Sequence, residues 1–327
     1  LCLGELAVHL PVSGSFGAFA TRYIGPGTGY MVSWMYWLGW SATLGTEFTA
    51  AAILVQEWFP QTSIWLWTLI FASGVLISNL SSTRAFAESE FWLSMIKVVA
   101  IIAMIIFGIY LLLTADVGST ASVTNLWAHG GFFPHGFEGL FYMLAFMMFA
   151  FGGIELISMA AAETEDPEKN IPKAVNQIVY RILIFYIGAI GILLCLYPWN
   201  MVAEGGSPFV LIFQSLNSNG VANVLNFVVL IAAISVYNSC IYCNSRMLHG
   251  LAEQGNAPAI LKKVNKRGIP VTAAMVSAGI TAVCVLVNYL IPGQAFQLFM
   301  MLVVAALVIN WLMISVTHLK FSKAMKL

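Results

Sequence analysis

Eight stretches of this chain are apolar over about the 20 residues that a helix needs to cross a bilayer, and this leaves few folds open. They lie near 30–56, 62–80, 91–113, 138–161, 178–198, 222–244, 271–291 and 296–317. Backbone polar groups find no water in lipid, so repeated spans of this kind form helices packed as a bundle. Of the 327 residues, 60% are hydrophobic and 9% charged, which excludes a soluble globular class. The expected fold class is an all-α polytopic membrane protein of about eight transmembrane helices.

Charge placement orients these spans. Arg22, Arg84, Lys169, Lys173, Arg181, Arg246, Lys262, Lys263, Lys266, Arg267, Lys320, Lys323 and Lys326 fall at one set of alternate ends, and the opposite loops carry no lysine or arginine. Basic residues stay on the cytoplasmic side, so both ends of the chain are expected there. The zero formal net charge therefore carries no signal for nucleic acid or another charged partner. The opening LCLGELAVHLP reads as the last turn of an earlier span, so a fragment is expected.

Cys2, Cys195, Cys240, Cys243 and Cys284 sit in or at the ends of apolar runs and read as small buried packers. Cys240 and Cys243 form a CxxC by spacing alone, without the second Cys or His pair a metal site needs. His129 and His135, in the outer loop, read as solvated or hydrogen-bonded. No close Ser–His, Asp–Asp or His–Glu constellation appears at membrane depth, so an enzyme is not expected.

One span departs from the plain apolar pattern. In FEGLFYMLAFMMFAFGGIELISMAAAETEDPEKNIPKA, residues 137–174, Gly152 and Gly153 interrupt the apolar run and Glu155 follows two residues later. Each glycine costs a helix roughly 1 kcal/mol relative to alanine, and a carboxylate at membrane depth roughly 2.5 kcal/mol or more. Unwound backbone survives there only where protein buries it or a cavity adjoins it. Such a break is how secondary transporters expose backbone and half-helix ends to a substrate. A helix-packing glycine pair with a satisfied glutamate is the alternative.

Other intramembrane polar residues stand apart from this stretch. Glu47 follows Ser41, Ala42, Gly45 and Thr46; it reads either as a carboxylate held in a tight interface or as a proton or substrate contact. Lys97, inside the third span, either snorkels to the interface or points into the bundle as a resident cation. Glu88 and Glu90 are expected at the N-terminal end of that span, where the helix dipole favours negative charge. In the sixth span Ser235, Asn238, Ser239 and Cys243 fall near one face, with Tyr242 adjacent, as interhelical glue or as a cavity lining. SPFVLIF, in the long loop before that span, is expected to dip partly into the membrane.

FAFGGIE in the broken span, ETEDPEKNIPKAV after it, SVYNSCIYCNSRML with LAEQGNAP, and KRGIPVTAAMVS together resemble the amino acid transporter family of the amino acid, polyamine and organocation superfamily. NLWAHGGFFPHGF, YRILIFYIG and SPFVLIF are similar, more narrowly, to bacterial aromatic amino acid permeases. The resemblance implies a LeuT-type fold in which the eight spans correspond to spans 3–10 of twelve. Residues 1–136 would then be the rest of a first inverted repeat and 137–319 a second, in one permease domain incomplete at both ends.

It also implies roles. Phe149, Ala150, Gly152, Gly153 and Glu155 match the family's substrate site, with Phe149 as the gating aromatic. Asn238 and Ser239 match a wall near a cation position, and Lys97 matches the lysine that replaces a sodium ion in proton-coupled relatives. Glu47 matches an acidic position and is grouped with Lys97 as a proton-coupling candidate. The expectation is a secondary active importer of aromatic amino acids in the bacterial inner membrane, driven by protons and needing no cofactor. A permease for histidine, proline or another neutral amino acid, or a sensor that binds without transporting, is the alternative.

Overall fold

The computed structural model describes residues 2–10, 15–81, 83–114, 121–159, 166–204, 219–266, 268–291 and 294–325. The described residues contain helices and no strand. Among the described residues, six helices are long and apolar enough to cross a membrane: Pro26–Gln56, Glu88–Thr114, Pro167–Leu196, Asn226–Glu253, Val271–Leu290 and Ala295–Met325. The other two of the eight expected runs differ for physical reasons. One forms the shorter apolar helix Trp65–Leu80, and the other is broken where the glycine pair falls.

The full helices are α1 Cys2–His9, α2 Ser15–Tyr23, α3 Pro26–Trp58, α4 Ile64–Ser81 and α5 Thr83–Thr114, then the short α6 Asn125–Ala128 and α7 Gly136–Ala150. After the break come α8 Leu156–Met159, α9 Pro167–Arg181, a π-helical segment Ile182–Gly188, α10 Ala189–Leu196 and α11 Trp199–Glu204. The chain closes with α12 Asn219–Glu253, α13 Val271–Leu290 and α14 Ala295–Met325. The SPFVLIF segment lies outside the described residues.

Two compact units divide the chain. The first comprises Leu1–Glu90, Phe146–Asn176 and Ala233–Leu327. Its centre is the packing of α14 on α3, which is close because small residues line the seam. A Cβ at Gly39 would stand 2.9 Å from the Ala306 methyl, and one at Gly45 would stand 2.6 Å from the Phe299 ring. Gly45→Val is therefore expected to destabilise the protein by about 1–3 kcal/mol through overpacking. Phe299→Leu in the same chain should recover part of that loss, read as melting temperature in detergent.

Around this seam Phe16, Phe19, Tyr36, Leu44, Tyr237, Ile241, Met247 and Phe321 form the main core. Hydroxyls and amides stitch the same helices together, as Tyr237 with Thr281 at 3.2 Å and Thr49 with Asn288 at 2.9 Å. Cys240 and Cys243 are buried in this core, as expected of packers.

The second unit comprises Phe91–Ala145 and Gln177–Ala232. Met104, Leu111, Ala189, Leu196 and Tyr197 make its core. The end of α10 is tied to the start of α6: the Cys195 carbonyl accepts from the Ser122 N–H at 2.8 Å and from Asn125 Nδ2 at 3.0 Å. Trp199 Nε1 donates to the His129 carbonyl at 2.9 Å, and the His135 ring packs edge-on to Trp199.

Glu88 and Glu90 stand at the start of the apolar span Glu88–Thr114, as expected, but the helix itself is longer: α5 begins at Thr83, so Glu90 lies about two turns inside it and outside the first turn, where the dipole acts. The polar run TRAFAESE, residues 83–90, is helical and extends the helix past the apolar boundary, which hydropathy alone does not register.

Candidate functional site

The broken span builds its site from backbone first. Helix α7 ends at Ala150; the Phe149 carbonyl accepts from the Gly152 N–H at 3.0 Å, and the chain turns. Gly153 has φ +98°, in the left-handed region that L side chains avoid. Helical structure resumes at Leu156, whose N–H donates to the Gly153 carbonyl at 3.1 Å. Residues 151–155 are thus the non-helical stretch that the glycine pair predicted. The carbonyl end of α7, the negative end of its dipole, faces this break.

Glu155 stabilises the turn. Its Oε2 accepts the Gly153 N–H at 3.2 Å, and its own carbonyl accepts from both the N–H and the hydroxyl of Ser158, at 3.0 and 2.8 Å. The side chain is 3% exposed. Tyr36 and Trp311 both act on its carboxylate. Glu155 Oε1 and the Tyr36 hydroxyl are nevertheless buried without a hydrogen bond of good geometry. Buried polar atoms of this kind cost about 1–3 kcal/mol each when unsatisfied and mark places where a proton, water or ligand group enters.

The walls come from α3 and α14. Phe149 is half-buried and packs with Ala42, Val303, Leu307 and Trp311. A Cβ at Gly152 would meet Leu307 at 3.0 Å and the Phe149 carbonyl at 3.1 Å, while the Trp40 ring edge lies 3.9 Å from that of Gly153. The break is therefore flanked by an aromatic and aliphatic surface beside exposed backbone at Ala150 and Gly152. Unwound peptide groups with an apolar flank can bind a zwitterionic headgroup and an apolar side chain at once.

The other expected site residues lie on other helices, α3, α5 and α12. Asn238 is 2% exposed and both ends of its amide are engaged. Its Oδ1 accepts from Asn79 Nδ2 at 2.7 Å, and its Nδ2 donates to Glu90 Oε2 at 3.3 Å. Ser235 donates its hydroxyl to Glu90 Oε1. Ser239 is half-buried next to Asn238. Glu47 is half-buried on α3 beside a narrow crevice formed with Phe48, Ala51, Phe71 and Tyr237. Lys97 is half-buried on α5 and belongs to the second unit, whereas the remaining candidates all belong to the first.

Sequence reading missed Asn79 and Glu90 as members of this constellation. Asn79 belongs to no motif of its own, and the first turn of a span does not by itself suggest that Glu90 meets a neighbouring helix. Treating TRAFAESE as helix would put Glu90 about two turns in and available to a neighbour. Among the described residues, no group of three or more His, Cys, Asp or Glu side chains is arranged to hold a metal.

Comparison with known proteins agrees with this architecture. The profile of the amino acid permease family matches residues 1–327. The aromatic amino acid transport protein AroP of Escherichia coli O6:H1 is 54% identical over 322 residues, which cover 98% of this chain and 71% of that protein. AroP of Escherichia coli K12 is 53% identical over the same share of this chain and 70% of its own length. The amino acid permease YtnA of Bacillus subtilis, itself uncharacterized, is 41% identical over 330 residues, 99% of this chain and 70% of that protein. The chain belongs to the amino acid permease family, and as such is a transporter protein, not an enzyme.

Proposed function

We propose that this chain forms part of a proton-driven importer of aromatic amino acids in the bacterial inner membrane, working by alternating access, with both ends of the chain cytoplasmic. The observation that carries the reading is the break at 151–155, with its left-handed Gly153, buried Glu155 and flanking Phe149. The substrate's ammonium would lie toward the carbonyl end of α7 and its carboxylate on freed N–H groups of the turn. Phe149 would cover its ring from the apolar side. The names of the AroP relatives support the aromatic class, and the wall of Trp40, Leu307 and Trp311 suits such a ring. Ser239 and Asn238 would contribute the facing wall, Asn238 through its position on α12.

For proton coupling, Lys97 would alternate between ammonium and amine as the site opens to either side, with Glu47 as a second group in the coupling path. Residues 137–319 would act as the second of two inverted repeats. No resident cofactor enters this scheme; the proton gradient supplies the driving force.

Labelled phenylalanine uptake by the permease expressed from its complete reading frame, in permease-deficient cells, tests this reading. Competition by excess tyrosine and tryptophan, with collapse of accumulation on adding a protonophore, is the expected result. Competition by histidine or proline instead would reassign the pocket. Binding of an amino acid without accumulation of any would replace the importer by a sensor.

A further inference from the structure

The polar cluster that joins α4, α5 and α12 has a direction. Asn79 Nδ2 donates to Asn238 Oδ1, which leaves Asn238 Nδ2 facing Glu90 Oε2 at 3.3 Å, while Ser235 donates to Glu90 Oε1. Asn79 Nδ2 also donates to the Val75 carbonyl at 3.1 Å, so the Asn79 amide is held from its own helix. Ser235 and Asn238, three residues apart on α12, occupy one face of it. Both are buried, at 0% and 2% exposure, and Asn79 is at 8%. Donors thus converge on the Glu90 carboxylate from two residues of one helix, and a third residue on another helix sets which way the Asn238 amide points.

We infer that Glu90 is a positioning residue for transport: through Asn238 and Ser235 it fixes the rotation of the polar face of α12, and with it Ser239, in the facing wall of the substrate site. The inference rests on the proposed reading of that wall. Glu90 here acts by accepting hydrogen bonds of defined length, not by carrying a proton or a charge to the substrate. A buried hydrogen-bonded constellation of this kind locks one arrangement when every donor is met, and the loss of one partner is felt by all.

This role separates variants that a charge-based role would group together. In Asn238→Asp, Oδ1 still accepts from Asn79, but Oδ2 confronts the Glu90 carboxylate, and two facing carboxylates repel. Glu90→Gln alone keeps its length; with its amide turned, Oε1 accepts from Asn238 and Nε2 donates to the Ser235 hydroxyl. In the double variant Glu90→Gln with Asn238→Asp, the new Nε2 donates to the aspartate, Ser235 donates to Oε1, and Asn79 keeps its acceptor. The contacts among these four residues are satisfied again with the charge moved across the contact. Glu90→Asp keeps the charge but shortens the reach by one methylene.

Initial uptake of labelled phenylalanine, normalised to permease abundance in the membrane, tests the inference. Asn238→Asp is expected to lose about tenfold or more, and the double variant to recover to within about threefold of Glu90→Gln. Glu90→Asp is expected to fall below Glu90→Gln, and this comparison decides the matter if Asn238→Asp fails to reach the membrane. An inactive Glu90→Gln, a double variant no better than Asn238→Asp, or a Glu90→Asp equal to the parent would each overturn the inference. Uptake by the parent is measured alongside: its absence would sink the importer reading itself, which none of the variant results does.

Discussion

Accumulation of phenylalanine against its gradient is expected to be abolished by Lys97→Ala, with loss of more than about tenfold at equal membrane abundance. The proposed role gives the reason. In that role the ammonium on α5 gains and loses a proton as the site opens to either side, and alanine removes that group from the path. A proton-coupled lysine and a structural one differ in what a conservative change can rescue. Lys97→Arg keeps a positive charge and a long apolar stem but holds its proton at all accessible pH values. Proton-driven accumulation should therefore stay lost in the arginine variant even where the protein is as stable and abundant as the parent. Accumulation in Lys97→Ala that responds to external pH as in the parent would remove Lys97 from the coupling path.

The second large effect is expected at the break. Gly153 has φ +98°, a backbone that costs an L side chain about 1–2 kcal/mol and a β-branched one more. Space is not the obstacle, since a Cβ there would meet only Leu156 and Trp40, both at 3.9 Å. Gly153→Val should therefore act through conformation: the turn shifts to negative φ, and the Gly153 N–H leaves Glu155 Oε2. Uptake should be lost, and Gly153→Ala should show the same direction with a smaller effect. Glu155→Ala approaches the turn from the other side. It strips the acceptor from the Gly153 N–H and leaves a buried site half-filled, at a cost of about 2–4 kcal/mol. Glu155→Gln retains an acceptor oxygen for that N–H and should keep most of the thermal stability. Melting temperatures of the two variants in detergent give the comparison; equal losses would mean that the contact with Gly153 does not hold the turn.

Much of the molecule was legible before any coordinates. Apolar run length reports helices because lipid offers backbone groups no other partner, so the spans were located, although three helices extend well past their apolar runs. The interruption at Gly152 and Gly153 was equally readable, since two poor helix formers and a carboxylate coincide in one turn, and the chain does leave the helix there. These are local or composition-driven properties, each decided by a handful of adjacent residues.

What lay beyond the sequence depended on which faces meet. Tyr36 and Trp311, which bear on the Glu155 carboxylate, lie more than a hundred residues away on either side, and no local pattern brings them to it. Asn238 was placed correctly on a polar face, but nothing in its neighbourhood reveals that its amide is held between Asn79 and Glu90. Helix rotation is the deciding quantity: a shift of one residue turns a side chain by about 100° and exchanges one neighbouring helix for another. The sequence by itself determined a bundle of membrane helices with one broken span. Only the tertiary structure, through the glycine-lined seam of α3 and α14 and the rotation of α12, decided which polar groups face that break and which are spent holding helices together.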